Sequence, residues 1–325
     1  MHHYLVTGGA GFIGSNLVAY LTERGEAVRV LDNFSTGRRE NLAGLEGKVD
    51  IVEGDICVPD DCARAVADVD IVLHQAALPS VPRSVVDPLR THAANATGTL
   101  QLLMAARAAR VKRFVYAGSS SAYGNQSAAF KREDQRPRPL SPYAASKLAG
   151  EHYVAAFAEC YGMETVSLRY FNVFGPRQDP DSPYSAVVPL FIVAALEGHR
   201  PTIHGDGGQS RDFTYVENNV WANVLAATGR FDARGQVINV ACGVSYSLRD
   251  LVEGIGAALG RRIDPVMAPA RIGEVRDSRA DISCARETLG YEVRVPFQEG
   301  LRRTIEWYAR RHGEGAGRES AVVPL

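Results

Sequence analysis

The sequence predicts an α/β fold: a doubly wound parallel sheet with helices on both faces, followed by a smaller C-terminal α/β lobe that binds substrate. Three observations carry this. Short apolar runs alternate with helically patterned stretches as far as residue 170. The links between them are short, as crossover units of a parallel sheet require. A glycine-rich turn, T-G-G-A-G-F-I-G-S at residues 7–15, joins the first strand to the first helix.

Each element follows from its residues. Tyr4–Thr7 is a short apolar strand. Phe12–Arg24 has helical spacing, with Ile13, Leu17, Val18 and Leu21 on one face, and Gly25 ends it. Val28–Leu31 is a second strand running into Asp32, and Val49–Glu53, Ile71–His74, Phe114–Ala117 and Thr165–Leu168 are the next four. Helices fit Asp60–Ala67, Ala93–Ala109 and Tyr143–Tyr161. Beyond Arg169 the alternation fades and Pro and Gly become frequent. Residues 171–186 and 199–215 read as long ordered loops, which in a compact domain are usually functional. Helices are expected near 187–197, 217–228 and 247–259. The division expected is a dinucleotide-type domain over 1–170 with contributions from later segments, a lobe over 171–312, and a disordered tail over 313–325, which is Gly-rich and unpatterned.

Composition narrows the function classes. The chain has 325 residues, 46% of them hydrophobic, enough for a large core. A net charge of −1 favours neither nucleic acid nor an anionic membrane as partner. Cys57, Cys62, Cys160, Cys242 and Cys284 show no paired spacing, so reduced thiols are expected and no metal site. No apolar run reaches the roughly 18 residues of a membrane span, and the chain enters its first strand without a leader pattern. A soluble cytoplasmic protein is the expectation.

The glycine turn has a chemical reading. Gly8 lets the chain turn, Gly11 lets a pyrophosphate approach the backbone, and Gly14 lets helix and sheet pack closely. The helix then presents unpaired N–H groups and a positive dipole end to phosphate. A glycine-rich turn without ligand is the plain alternative. Asp32, at the end of the second strand, favours the Rossmann-type dinucleotide site, since its carboxylate can accept from both adenosine ribose hydroxyls. It would repel a 2′-phosphate, so NAD is favoured over NADP. Arg38 and Arg39 are cations of the kind that serve NADP, but they lie past a turn and read as solvated. Asp55 and Ile56 suit either the adenine edge and face or a simple turn.

Tyr143 and Lys147 stand at i and i+4 on a helix and so share a face. A free tyrosine titrates near pH 10, and a nearby ammonium together with a cationic nicotinamide favours its phenolate. Ser141 suits the cap of that helix and Pro142 its first turn. Ser119-Ser120-Ser121 follows a strand at the carboxyl edge, where such sheets bind ligands. Ser119 can bridge a sugar hydroxyl to the phenol, while Ser120 reads equally as a polar turn.

These residues carry a resemblance. T-G-G-A-G-F-I-G-S-N-L, L-D-N-F-S-T-G, G-D-I, H-Q-A-A, S-S-S-A-Y-G, S-P-Y-A-A-S-K, L-R-Y-F-N-V-F-G-P, G-D-G-G-Q-S-R-D-F-T-Y-V and G-E-V-R-D-S-R-A-D occur in one order between about residues 3 and 311. The chain resembles the extended short-chain dehydrogenase/reductases, specifically the nucleotide-sugar 4-epimerases. The resemblance implies NAD contacts at Gly8, Gly11, Phe12, Ile13, Gly14, Asp32, Asn33, Ser35, Asp55, Ile56, Ala76, Ala77, Asn95, Tyr143, Lys147 and Tyr170. It makes Ser119, Tyr143 and Lys147 the catalytic set. It puts Asn172, Arg211 and Arg271 on a UDP pyrophosphate and Ser80, Ala186 and Ser278 around the sugar. Ser119, Ser121 and Val187 complete the substrate set, with His204 at the base.

The implied reaction is oxidation at sugar C4, rotation of the 4-keto sugar and re-reduction, with NAD retained. Related dehydratases and decarboxylases carry carboxylates after the catalytic hydroxyl residue, where this chain has Ser120 and Ser121. Galactose-restricted relatives place a Tyr where this chain has Ser278, so a 2-acetamido group is expected to fit. Pro79 departs from a common Gly and stiffens one pocket wall. The rivals are a UDP-glucuronate 4-epimerase, a dehydratase with unusual acids, a generic NAD-dependent dehydrogenase, and a non-catalytic NAD-sensing module. The Ala-rich helices at 93–109 and 143–161 suit a two-fold homodimer, as in the family, or simply cover the sheet.

Overall fold

Local sequence dictates the first half of the chain, and the computed structural model describes the backbone over 1–319, apart from 127, 183–184 and 271–275, with side chains to residue 312. The order is β1 (His3–Thr7), α1 (Phe12–Glu23), β2 (Ala27–Asp32), β3 (Asp50–Glu53), α2 (Pro59–Val66), β4 (Ile71–His74), α3 (Val81–Val86), α4 (Pro88–His92), α5 (Gly98–Ala108), β5 (Arg113–Ser119), α6 (Pro142–Tyr161) and β6 (Thr165–Tyr170). Then come β7 (Asn172–Phe174), α7 (Val187–Leu196), β8 (Thr202–His204), β9 (Ser210–Arg211), β10 (Phe213–Tyr215), α8 (Val216–Thr228) and β11 (Arg234–Val240). The chain ends through β12 (Tyr246–Ser247), α9 (Leu248–Ala258), β13 (Val266–Ala268), β14 (Asp277–Ser278), α10 (Ser283–Leu289) and α11 (Phe297–Glu319).

Seven strands pair in the order β11-β6-β5-β4-β1-β2-β3, and every pairing is parallel. From β1 the chain builds outward to β2 and β3, then returns to β4 on the other side. The carboxyl ends of β1 and β4 therefore flank the crevice where a doubly wound sheet binds its ligand. Side chains alternate between two cores. Val6, Val30, Leu73 and Val115 pack with Leu17 and Leu21 of α1 and Val220 of α8 on one face. Leu5, Leu31, Val72 and Phe114 pack with Val66, Leu102 and Val154 on the other. A separate cluster of Phe174, Phe213, Phe297, Ile192 and Leu251 holds the later elements together.

Four differences from the sequence expectation have physical causes. The sheet gains β11, which pattern alone does not reveal: Gly235 has φ +69° and the register slips between Arg234 and Gln236. The loops expected at 171–186 and 199–215 contain β7 and β8–β10. The helix expected at Ala93–Ala109 starts earlier, because Asp87 accepts from the Arg90 N–H at 3.0 Å and Pro88 opens α4. Ala93–Thr97 is then a π-helical turn, a feature frequent at functional sites. Finally, α11 runs to Glu319, past the point where a disordered tail is expected. Its buried Leu301, Ile305 and Tyr308 anchor it, and a nucleated helix adds one bond per further residue. Among the described residues no helix is long and apolar enough to cross a membrane.

Candidate active site

The three glycines do what their spacing implies. Gly8 has φ +64°, and a Cβ there would lie 2.8 Å from the Ala76 backbone. The Gly11 N–H donates to Gly8 O at 3.0 Å, and Gly11 stands at the start of α1 with no capping side chain. A Cβ on Gly14 would come 2.1 Å from Gly8 O, so only glycine lets α1 seat against the turn. This cradle forms one wall of a cavity of about 1000 Å³ at the carboxyl edge of the sheet.

Asp32 stands at the edge of that cavity, 7% exposed. Its Oδ2 accepts from the Ala10 N–H at 2.9 Å and its Oδ1 from the Phe34 N–H at 2.8 Å. Burial pushes its pKa up, and those two bonds pull it down. Each oxygen keeps acceptor capacity for a ribose hydroxyl. A Cβ on Gly37 would lie 2.9 Å from both oxygens, so this glycine holds the approach open, a role its place in an ordinary turn does not disclose. Arg38 pairs with Asp179 at 2.7 Å, and Arg39 pairs with Glu53 at 2.5 Å while its guanidinium covers the Phe34 ring. Both are exposed, as expected, and both make ion pairs with carboxylates at the surface. Asp55 lines the cavity and also serves its turn, accepting from Cys57 N–H and from Asn33 Nδ2, each at 2.8 Å.

The deep end is built by β4, β5 and α6. Ser141 caps α6 by accepting from the Ala144 N–H at 3.1 Å, with Pro142 in the first turn. This sets Tyr143 and Lys147 on the face that lines the cavity. Burial pushes the Tyr143 phenol above its usual 10, and the Ser119 hydroxyl set against it pulls the other way. Lys147 shares this buried end: burial pushes it down to about 7, opposed by the charge of Glu151. Two buried groups of opposite charge type each resist ionising in a low dielectric. The Ser119 hydroxyl lies 2.8 Å from that of Ser121, whose N–H also donates to it at 3.2 Å. Ser121 thus orients the Ser119 hydroxyl.

Two networks fix the floor. Thr99 donates to Asn95 O at 2.7 Å, so its oxygen accepts from His74 Nε2–H at 2.9 Å; Nδ1 then accepts from Thr7 at 2.7 Å, and the Thr7 oxygen accepts from the Ala76 N–H at 3.2 Å. This assigns His74 one neutral tautomer, and burial, helped by the charge of Lys147, drives its pKa down to about 3. In the second network the Tyr170 hydroxyl donates to Gln75 Oε1 at 3.2 Å, Gln75 donates to Asn223 Oδ1 at 3.1 Å, and Asn223 donates to Tyr170 at 2.6 Å. Tyr170 and Gln75 line the cavity.

Sequence expectation and geometry part at several positions. Gly8, Gly11, Phe12, Ile13, Gly14, Asp32, Asn33, Ser35, Asp55, Ile56, Ala76, Ala77, Tyr143, Lys147 and Tyr170 line the cavity, as do Ser80 and Ala186. Asn95 does not: it is fully buried, and its amide is committed to Leu78 and Ser146. These bonds clamp the cavity wall between the Leu78 backbone and Ser146 of α6. Ser119 and Ser121, just past the lining residues Ala117 and Gly118 of β5, lie off the lining, as do Asn172, Val187, His204, Arg211 and Ser278 on the later elements. Parallel pairing sets Ser278 beside Arg211, and Asn172 beside Phe213 two residues on. The diphosphate and sugar candidates Asn172, Arg211 and Ser278 are therefore brought together. His204 Nδ1 faces Pro269 O at 3.2 Å. Arg271 lies outside the described residues. The long ordered loop expected at 171–186 includes a strap at 176–182 whose anchors the pattern did not show: Asn16 Nδ2 donates to Pro176 O at 3.1 Å, Arg177 to Ser15 O at 3.0 Å, Tyr308 to Gln178 O, and Asp179 takes the Arg38 pair.

The residues present fit a dinucleotide. A Cβ would fill the glycine cradle, and a buried carboxylate with acceptor capacity sits at the far end of the same cavity from the phenol. The comparisons agree. A family model described as the NAD dependent epimerase/dehydratase family matches residues 4–241. A UDP-glucose 4-epimerase of Mycolicibacterium smegmatis is 40% identical over 312 residues, 94% of this chain and 98% of its own. A UDP-N-acetylglucosamine 4-epimerase from Methanobrevibacter ruminantium, solved with UDP-N-acetylmuramic acid, superposes with a TM-score of 0.91 at 40% identity, covering 95% of this chain and 99% of its own. A Thermus thermophilus UDP-glucose 4-epimerase solved with NAD gives 0.85 at 37%, covering 94% and 98%.

Proposed function

This chain belongs to the NAD dependent epimerase/dehydratase family, and from that premise we propose the reaction it runs and the residues that run it. It is an isomerase, a NAD-dependent 4-epimerase of UDP-sugars. Bound NAD supplies the hydride acceptor and donor at sugar C4. Gly8, Gly11 and Gly14 would hold its pyrophosphate, Asp32 its adenosine ribose, and Tyr170 with Lys147 the end nearest the phenol.

Tyr143 takes and returns the proton of the sugar 4-hydroxyl, directly or through Ser119. Ser121 holds the Ser119 oxygen in place through its N–H. The pocket walls alone keep the phenol protonated near neutrality, so its ionisation belongs to the loaded state, where Lys147 and the oxidised cofactor are the nearby cations. Asn172, Arg211 and Arg271 anchor the diphosphate while the 4-keto sugar rotates.

The observation that carries epimerisation over elimination is the turn after Ser119. Ser120 and Ser121 are hydroxyls, and no carboxylate stands there to protonate a leaving group. Small side chains at Ala186 and Ser278 support acceptance of UDP-GlcNAc and UDP-GalNAc as well as UDP-Glc and UDP-Gal. Incubation with these four and with UDP-glucuronate, followed by separation and identification of products, tests the assignment. The expected result is C4 epimers; a 4-keto-6-deoxy product or turnover of UDP-glucuronate alone would replace it.

The same reading assigns 1–170, with α8 and β11, to the cofactor and the other described elements of 171–312 to the substrate. It also takes the protein as a homodimer, supported by exposed Met104 on α5 and Tyr153 and Tyr161 on α6. A cytoplasmic setting is supported by five unpaired thiols. Light scattering over a concentration series tests the dimer.

A further inference from the structure

Behind Tyr143 and Lys147 lies an ion pair for which the proposed chemistry has no use. Glu151 follows Lys147 by one turn of α6, so the two share a face. Its carboxylate nevertheless faces β6. Arg169 grips it with Nε to Oε2 at 2.8 Å and Nη2 to Oε1 at 2.6 Å, and the two residues are 2% and 4% exposed. Among the described residues no carboxylate forms an ion pair with Lys147. Its Nζ sits instead 4.4 Å from the centre of the Tyr116 ring, while the Tyr116 hydroxyl donates to Lys147 O at 3.0 Å. Gly150 makes that approach possible, since a Cβ there would lie 2.4 Å from the Tyr116 oxygen.

A buried ammonium without a counter-charge loses its proton. A buried ammonium in contact with a carboxylate keeps its proton, but its N–H groups are then taken. The arrangement here avoids both outcomes. We propose that Glu151 and Arg169 are positioning residues for Lys147: Arg169 clamps the Glu151 carboxylate close enough for its charge to keep Lys147 protonated, and far enough that the ammonium stays free to face the cavity. The fork of Arg169 occupies both carboxylate oxygens, which a lysine in its place could not do. Stability is a weak reason for such a pair, because buried ion pairs can often be replaced by apolar residues without loss. Arg169 even leaves its Nη1 without a partner among the described residues.

The other groups around Lys147 supply no counter-charge. Tyr143 on its own helix and Tyr116 on β5 are phenols with raised pKa, and His74 on β4 is neutral. On the far side, Arg169 covers the Tyr123 ring at 4.6 Å and feels Glu133. Of these groups Glu151 is the one whose charge opposes the effect of burial on Lys147.

The test reads Lys147 directly, by ¹⁵N-lysine NMR titration of Nζ, assigned with Lys147→Met, on the purified protein with its bound nucleotide and after stripping it. Glu151→Gln should lower the midpoint by at least about one pH unit, the low end of what an opposite charge within 4–6 Å gives. Arg169→Met frees the carboxylate to reach the ammonium, so its midpoint should rise and its nucleotide retention fall. If either single variant fails to fold, Glu151→Gln/Arg169→Met removes both charges and should still lower the midpoint. The alkaline limb of kcat should move in the same direction in each variant. Midpoints that coincide with wild type, or that move the same way in both single variants, would overturn the proposal. It rests on the epimerase reading for its meaning in turnover, yet the titration stands apart: a wild type inactive on every UDP-sugar would sink that reading and leave this one testable.

Discussion

Asn223 Nδ2 lies 2.6 Å from the Tyr170 hydroxyl, and this contact ties α8 to the end of β6 beneath the cavity. Asn223 does not itself line the cavity, but it closes the ring of three hydrogen bonds that orients Tyr170 and Gln75. Asn223→Ala strips a donor from the tyrosine and an acceptor from the glutamine. Leaving such groups unmatched costs about 1–3 kcal/mol each. We expect a lower Tm and faster loss of bound nucleotide, read by calorimetry and by nucleotide release after dilution. Unchanged release would make Asn223 a packing residue only.

Asp32 sets the cofactor. Denatured protein should release NAD(H), identified by chromatography, and Asp32→Ala should weaken the preference for NAD over NADP. Gly37→Ala sets a methyl against the carboxylate and should lower NAD content in the purified protein. Release of NADP(H) from wild type would contradict the role given to Asp32.

Tyr143→Phe keeps the ring and removes the ionisable hydroxyl. Turnover should fall by about 10²–10⁴, the usual contribution of acid–base catalysis. Ser119→Ala should cost less where water can take the hydroxyl's place. NAD content and folding should survive both changes. Near-normal turnover in Tyr143→Phe would end the phenol mechanism.

Ser278 neighbours Arg211 across β14 and β9. Ser278→Tyr should reduce kcat/KM for UDP-GlcNAc and UDP-GalNAc while sparing UDP-Glc and UDP-Gal, because a clash with the C2 substituent acts on one substrate class. Paired kinetics on the four sugars decide it. Equal losses on all four would assign Ser278 a structural role.

Asp212 carries a pH signature. Fully buried, it accepts from the Cys242, Gly243 and Ala280 N–H groups at 2.8, 2.9 and 3.3 Å. Burial outweighs these bonds and raises its pKa from 3.8 to about 6. A carboxyl with a raised folded pKa stabilises the fold below its unfolded value, and that stability is lost as pH rises through about 6. Between about pH 4 and pH 6 wild type should therefore lose up to about 3 kcal/mol relative to Asp212→Asn. Parallel Tm curves for the two proteins would remove Asp212 as the cause.

Local chemistry was legible and long-range chemistry was not. The Gly8–Gly14 turn, Asp32 and the Ser141–Lys147 start of α6 are short-range patterns whose geometry follows from glycine, a strand end and a capped helix. Strand β11 was hidden by a bulge at its start and by its place on the sheet edge. The partners of Asn95, Leu78 and Ser146, were not legible, because Ser146 meets it only when α6 packs. Arg38 is exposed as expected, but its pair with Asp179, 141 residues away, was not legible. Glu151 drew no expectation from the sequence, since nothing local says that Arg169 will face it.

The strap over the cavity has a consequence for what this molecule is. Residues 176–179 are tied to Asn16 and Ser15 of α1, to Arg38 and to Tyr308 of α11, and Arg177, Gln178 and Asp179 line the same cavity as the glycine cradle. On the proposed reaction a coenzyme held there is regenerated within each cycle, and it should stay bound from one turnover to the next. Melting curves of the purified material thus describe a protein–nucleotide pair, and they should respond little to added NAD.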